Sequence, residues 1–268
     1  MSRAHLLLFL FLLGPTRALA DDTAAPTPEE RGSIYRLNLV VDIPIIAIGA
    51  VGTAVPYLAS STFVHPSCPC DRESVNVLDR HAIGNDSNTA ETIGNVTVAV
   101  AVAVPVAVEL LMVRPRATLI EDLGVYAEVM AVNGGLLALS KFIVQRPTPQ
   151  AYAGNPEVID RPGGYLSFYS GHTSYTFAAL SAGSLTLSLR EGRPLIWPWV
   201  ITGVVGGGVA SVMVLSGAHF PTDVAMGALA GTTVGVLVPL LHLRPSKRER
   251  MSLVPALGGR GLALHGRF

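Results

Sequence analysis

The chain has 268 residues, of which 50% are apolar and only 14% are charged. That charged fraction is well below the roughly 25% of soluble domains, and the mean hydropathy is +0.47. Composition therefore places the chain among membrane proteins, and its length favours one domain. The formal net charge is zero, so nothing indicates a nucleic-acid partner.

The first 20 residues have the pattern of a secretory signal peptide. Arg3 supplies the positive end, residues 6–13 form an apolar run, and Ala18-Leu19-Ala20 resembles a cleavage site. We expect cleavage there, with an uncleaved anchor as the alternative. Residues 21–38 are polar and read as an N-terminal linker.

The two cysteines, Cys68 and Cys70, flank a single proline. A disulfide across one intervening residue is expected to be strained, so the spacing favours free or intermolecularly paired thiols. His65 and His81 stand alone nearby, and no metal site is expected from these residues.

Long apolar runs dominate the rest of the chain and predict an all-α, membrane-embedded bundle of five or six helices over residues 39–243. The predicted runs cover residues 39–61, 96–113, 120–144, 172–189, 195–217 and 224–243. Because the first run contains Asp42, Pro44 and Pro56, we expect it to be packed or re-entrant rather than a simple span.

The C-terminal tail, residues 244–268, is basic, and the positive-inside rule therefore places it in the cytoplasm. Counting back from the tail puts the 145–171 and 217–223 loops together on the outer side. The same count puts residue 38 inside if the first run spans, which contradicts a cleaved signal peptide.

Acidic residues interrupt two of the runs, and such groups avoid lipid. They are Glu109, Glu121, Asp122 and Glu128. The third run should therefore be wrapped by other helices, and an ion or proton path in a membrane transporter is an alternative function. Asn95-Val96-Thr97 matches the glycosylation pattern, for which chance is the better explanation.

Three groups of residues at the edges of the runs suggest phosphate chemistry. Lys141 and the amides of Ser170 and Gly171, at a helix start, could hold a phosphate dianion. His219 and Asp223 are four residues apart around a helix start, so one turn can bring them together. The aspartate could then fix the imidazole tautomer.

These residues resemble the type 2 phosphatidic acid phosphatase and vanadium haloperoxidase superfamily, whose motifs are K-x6-R-P, P-S-G-H and S-R-x5-H-x3-D. The matching segments, in the same order, are 141–149, 169–172 and 212–223. The resemblance covers residues 40–243. It implies a haloperoxidase-like helical core, His219 as the nucleophile, and His172 as the acid and then the base, without a metal or other cofactor.

Two of the family's arginine positions carry other residues in this chain. Thr148 stands where one arginine is expected, and Met213 stands at the other. Losing a bidentate arginine at a phosphate commonly costs a few kcal/mol. We expect Arg146, two residues before Thr148, to replace one of them as a phosphate ligand.

The expected function is hydrolysis of a phosphate monoester or pyrophosphate on a lipid, by an integral membrane protein whose site faces the periplasm or cell exterior. Its partners are then a lipid phosphate and the membrane. The first alternative is a weakly active or inactive protein of the same fold that binds anionic lipid headgroups. A haloperoxidase ranks below it, followed by the transporter.

Overall fold

The computed structural model describes residues 33–113, 116–244, 251–255 and 262–266, and the expected signal peptide lies outside them. The described residues form nine α-helices and two strands. The helices are α1 Leu39–Leu58, α2 Ser60–Phe63, α3 Val77–Arg80, α4 Asn88–Met112, α5 Arg116–Val144, α6 Pro149–Tyr152, α7 Gly171–Glu191, α8 Ile196–Leu215 and α9 Pro221–Leu241. Two short 3-10 helices cover Arg72–Ser74 and Pro162–Tyr165.

Six long helices make the expected all-α bundle. Five of them (α1, α4, α5, α8 and α9) are long and apolar enough to cross a membrane, so the chain is an integral membrane protein. α1 continues through Pro44 and Pro56 over 20 residues. A helix of this length suffices to span, which favours a simple span over the expected re-entrant run, and α1 also packs against α5. Its Asp42 is buried.

α7 lies at the centre of the bundle and contacts α4, α5, α8 and α9. Glycines of α9 make the closest of these contacts possible. A Cβ on Gly231 would lie 2.2 Å from the carbonyl oxygen of Ser174, and one on Gly227 would lie 2.7 Å from that of Ser170. Such small-residue contacts bring helix backbones together in membranes. They fix α7, which begins with Gly171-His172, against the start of α9.

Three acidic residues of the second and third runs pair with arginines. Asp122 and Glu109 both pair with Arg190, and Glu121 pairs with Arg244 at 3.0 Å. These ion pairs give much of the charge within the apolar helices a structural role. A transport path is not needed to explain those charged residues.

Both ends of the described bundle lie together. Tyr35 pairs with Leu243 in an isolated β-bridge, and the backbone N–H of Arg36 donates to the carbonyl of His242 at 2.9 Å. Residues 35 and 243 are therefore on the same side of the membrane. The cleaved signal peptide would put the N-terminus on the outer side, whereas the positive-inside rule puts the tail in the cytoplasm. These two predictions therefore exclude each other.

The cysteines form a disulfide, Cys68–Cys70, with the Cα atoms 4.5 Å apart. The prediction of free or intermolecularly paired thiols is wrong, since this separation is within the usual disulfide range. The disulfide loop lies at the end of the bundle where α5 ends and α7 begins, because the N–H of Cys68 donates to the Tyr165 hydroxyl at 3.2 Å.

The tail contains an antiparallel hairpin that the sequence did not predict. Strand β1, Met251–Pro255, pairs with strand β2, Leu262–Gly266. The hairpin follows the bundle and leaves its all-helical architecture unchanged.

Candidate active site

A cavity of about 310 Å³ opens at the end of the bundle that holds the 145–170 loop. Residues from four long helices and from the α8–α9 turn surround it. They are Tyr57, Val98, Lys141, Gly171, His172, Tyr175 and His219. The fold therefore brings Lys141 together with two histidines that lie 31 and 78 residues further along the chain. Of the predicted site residues, Ser170, Arg146 and Asp223 are not among the residues that line the cavity.

Lys141 lies in the last turn of α5 and is buried, with 6% of its surface exposed. Its Nζ donates a hydrogen bond to the carbonyl of Leu166. This contact holds the loop that precedes α7 against the end of α5. Among the described residues that line the cavity, Lys141 is the only lysine or arginine.

His172 follows Gly171 in the first turn of α7, where helix amides lack partners within the helix. Ser170 is the N-cap, and its side chain accepts the Thr173 N–H. The backbone N–H of Ser170 donates to the carbonyl of Asp223 at 3.1 Å. Ser170 therefore builds the start of the helix, and its amide is already used, in contrast to the phosphate-binding role expected for it.

Asn95 of α4 contacts His172, with 2.6 Å between Asn95 Oδ1 and His172 Nε2. The sequence singled out Asn95 only through a glycosylation pattern and gave no sign of this contact. The hydrogen bond fixes the ring of His172 beside the cavity.

His219 lies in the turn between α8 and α9 and is almost fully buried. Its Nδ1 is 2.8 Å from the carbonyl oxygen of Ser167. Since a carbonyl only accepts, Nδ1 carries the proton and Nε2 keeps its lone pair. Burial, followed by the positive charge of Lys141, lowers the pKa of His219 well below its usual value of 6.5. The imidazole is therefore neutral at pH 7 and suited to act as a nucleophile.

Asp223 contributes differently from the expectation. Its Oδ2 lies 4.0 Å from His219 Nδ1, too far for a hydrogen bond. The same oxygen accepts the Ser167 hydroxyl at 2.5 Å and the Phe220 N–H at 2.9 Å. The tautomer of His219 is thus set by the Ser167 carbonyl, and Asp223 holds Ser167 in place.

Arg146 is bound by two carboxylates, which favours a structural role over the expected role as a phosphate ligand. Its guanidinium is 2.5 Å from Asp223 Oδ1 and 2.7 Å from Asp79 Oδ2. It also donates to the Thr222 hydroxyl at 2.9 Å and stacks on Phe220, 4.1 Å from the ring centre. Two buried anions neutralise this cation, and Arg146 is not among the residues that line the cavity.

Asp79 is a residue that sequence reasoning missed. It lies in α3, between the first two predicted apolar runs, and its side chain is fully buried. Burial raises the pKa of Asp79, but hydrogen bonds from Thr222 and Arg146 outweigh that effect and lower the pKa overall. Asp79 also accepts the N–H of Thr222 at 3.0 Å, so it ties the 62–87 segment to the start of α9.

The two vacant arginine positions hold no cation. Met213 is fully buried in an apolar cluster with Val209 and Val224. A Cβ on Gly94 would lie 2.1 Å from Met213 Cε, so the side chain fills the space at this glycine. Thr148 caps α6 through its hydroxyl. Met213 therefore serves packing, and Thr148 serves helix capping.

Comparison with known proteins finds similarity to one protein family. Residues 122–247 match the family model described as the PAP2 superfamily. This segment, which contains every predicted site residue from Lys141 to Asp223, is similar to the PAP2 superfamily.

Two curated relatives, both described as decaprenylphosphoryl-5-phosphoribose phosphatase, come from Mycobacterium tuberculosis strains CDC 1551 / Oshkosh and ATCC 25618 / H37Rv. Each is 42% identical over 95 residues, which is 35% of this chain and 45% of the relative. The match thus spans less than half the length of these relatives. No solved structure matches the chain.

Proposed function

We propose that this chain hydrolyses a phosphate monoester carried by a lipid, through a phosphohistidine on His219. The observation that carries the proposal is the convergence of a neutral imidazole, a second imidazole and a buried lysine in one cavity. The similarity of residues 122–247 to the PAP2 superfamily supports the same reaction class.

In the first step, Nε2 of His219 attacks phosphorus, and the bond from phosphorus to the leaving oxygen breaks. His172 donates a proton to that oxygen, so the lipid leaves as an alcohol. The Nδ1–H of His219 remains bonded to the Ser167 carbonyl, at 2.8 Å before reaction. This bond supports the positive charge that develops on the imidazole ring.

In the second step, His172 takes a proton from a water molecule, whose oxygen attacks the phosphohistidine. The P–N bond breaks, inorganic phosphate leaves, and both imidazoles return to their starting state. Lys141 neutralises charge on the phosphoryl oxygens, and the first-turn amides at Gly171 supply further donors.

The relatives support a particular kind of lipid. Their name describes a phosphate on a sugar that is itself linked to a polyprenyl phosphate. We therefore propose a lipid-linked sugar phosphate as the preferred substrate class. Tyr57, Tyr175 and Val98 give the cavity an apolar wall beside the two histidines, which suits a lipid-linked substrate.

We propose that the cavity faces the periplasm or cell exterior. The Cys68–Cys70 disulfide lies at the cavity end of the bundle, and disulfides persist in oxidising compartments. The basic tail beyond Arg244 follows the opposite end, which agrees with the positive-inside rule. This orientation requires that residues 33–38 lie in the cytoplasm.

A headgroup-binding protein with little turnover is the second candidate. Two observations favour it. Lys141 is the only lysine or arginine among the described residues that line the cavity, and two carboxylates neutralise Arg146. A single cation holds a phosphate less firmly than several.

Phosphate release by the purified protein distinguishes the two candidates. The substrates are a polyprenyl-linked pentose phosphate, phosphatidic acid and a polyprenyl diphosphate, each with and without EDTA. We expect release that EDTA does not alter, fastest with the sugar phosphate, and none from His219→Ala. His81→Ala is the control, because His81 is an exposed histidine in the loop region. Turnover that survives His219→Ala would refute the mechanism, and binding without turnover in the wild type would establish the second candidate.

A further inference from the structure

A second cluster of ionisable side chains lies far from the cavity. Asp42 of α1, Glu128 of α5 and His242 at the end of α9 direct one ligand atom each toward a common point, with these atoms all within 4.8 Å of one another. Glu128 and Lys141 are 13 residues apart on α5, which corresponds to about 20 Å along the helix. The cluster is therefore separate from the proposed active site.

Hydrogen bonding within the cluster is incomplete. Nε2 of His242 is 3.3 Å from Glu128 Oε2 and 3.5 Å from Asp42 Oδ1. Glu128 is 5% exposed, and its Oε2 has no hydrogen-bond partner among the described residues. A buried carboxylate oxygen without a partner is costly, so a further group bound at this point would stabilise the cluster.

The spacing of the ligand atoms fits a metal ion. Zinc–nitrogen and zinc–oxygen bonds of about 2.0–2.1 Å in a tetrahedron place neighbouring ligand atoms about 3.3 Å apart. The two measured separations are 3.3 Å and 3.5 Å.

The neighbouring contacts also leave the right atoms available. Nδ1 of His242 is 2.8 Å from the Val238 carbonyl, so Nδ1–H donates there and Nε2 is available as a ligand. Such a hydrogen bond is the usual outer contact of a metal-binding histidine. The other oxygen of Asp42 accepts the Asn38 N–H at 2.6 Å, which leaves Oδ1 facing the cluster.

We propose that Asp42, Glu128 and His242 bind one divalent transition-metal ion, with Zn²⁺ as the best fit. Two carboxylates and a neutral imidazole match its charge and ligand preference. With three protein ligands, the fourth position remains for water. The ion would join α1, α5 and α9 at the end of the bundle where Tyr35 meets Leu243.

The test uses the full chain in detergent, freed of metal with a chelator and then titrated with Zn²⁺ alone. We expect about one Zn²⁺ per chain, because the three ligand atoms all lie within 4.8 Å of one another, and a rise in unfolding temperature on binding. Glu128→Gln and His242→Gln should each lose both effects. Glu121→Gln is the matched control, because Glu121 lies on the same helix but pairs with Arg244.

The competing explanation is a protonated His242 that pairs with both carboxylates and needs no metal. In that case Glu128→Gln would lower the unfolding temperature of the metal-free protein, and Zn²⁺ would stabilise neither form. Under our proposal the metal-free Glu128→Gln protein is at least as stable as the metal-free wild type, because a buried charge is removed. Absence of Zn²⁺ binding in the wild type, or equal binding in both variants, would overturn the proposal.

Discussion

Replacing Arg146 with alanine distinguishes a structural arginine from a phosphate ligand. The guanidinium pairs with Asp79 and Asp223, whose side chains are both fully buried, while its own side chain is 18% exposed. Removing one partner of a buried ion pair typically costs about 3–5 kcal/mol, because the remaining charge is left uncompensated. We therefore expect Arg146→Ala to lower the free energy of unfolding by about that amount.

Two measurements on the same preparations test this expectation. Denaturant-induced unfolding in detergent gives the stability, and competition by inorganic phosphate at low temperature gives the affinity of the cavity. Arg146→Ala should lose stability and keep its phosphate affinity while it remains folded. Lys141→Met should keep its stability and weaken phosphate binding about 10–150-fold, which is the equivalent of one charge-assisted hydrogen bond. Arg161→Ala, an exposed arginine in the same loop, should change neither.

One combination of results would refute the reasoning. If Arg146→Ala weakens phosphate binding as much as Lys141→Met and leaves the unfolding free energy unchanged, the ion pairs are not the role of this residue. The family's arginine function would then have moved to Arg146 after all.

Three further outcomes are expected. Burial lowers the pKa of His219, so the nucleophile should stay unprotonated below pH 6.5. The acid limb of the pH profile of kcat/KM should therefore have its midpoint below pH 6.5. A midpoint above that value would contradict the assignment of His219 as the nucleophile. Asn95→Ala should reduce kcat about 2–10-fold, which corresponds to the free energy of one hydrogen bond. Its thermal stability should be unchanged, which checks that only His172 is affected. Gly231→Ala should cost about 1–3 kcal/mol by overpacking, because its Cβ would lie 2.2 Å from a backbone oxygen of α7. Gly208→Ala, with nothing within 4 Å, should unfold like the wild type.

Hydropathy and motif order predicted the bundle well, because both depend on local sequence. Each predicted apolar run corresponds to one long helix, although α4 begins at residue 88 rather than 96. The meeting of Lys141, His172 and His219 also follows from helix parity, since loops separated by two spans share a side.

The partners of the site residues could not be predicted in the same way. Asp79 is 67 residues from Arg146 in the sequence and carries no recognisable motif. Asp223 was assigned to His219 because i and i+4 residues are neighbours on a helix. His219, however, precedes the first residue of α9, so that periodicity does not apply to it. A long-range contact determined the partner of Asp79. The exact start of α9 determined the position of Asp223 relative to His219.

The composition of α7 has a consequence for how the protein enters the membrane. Of the six long helices described, α7 alone is not apolar enough to count as a candidate span, and many of its serines and threonines are buried against its neighbours. Insertion of a single helix depends on its own transfer free energy, so α7 is a poor substrate for insertion by itself. Its stable placement needs α8 and the glycine face of α9, which follow it in the chain. The segment that carries His172 should therefore settle in the bilayer only once the last helix has been synthesised, and truncation before α9 should leave α7 outside the membrane.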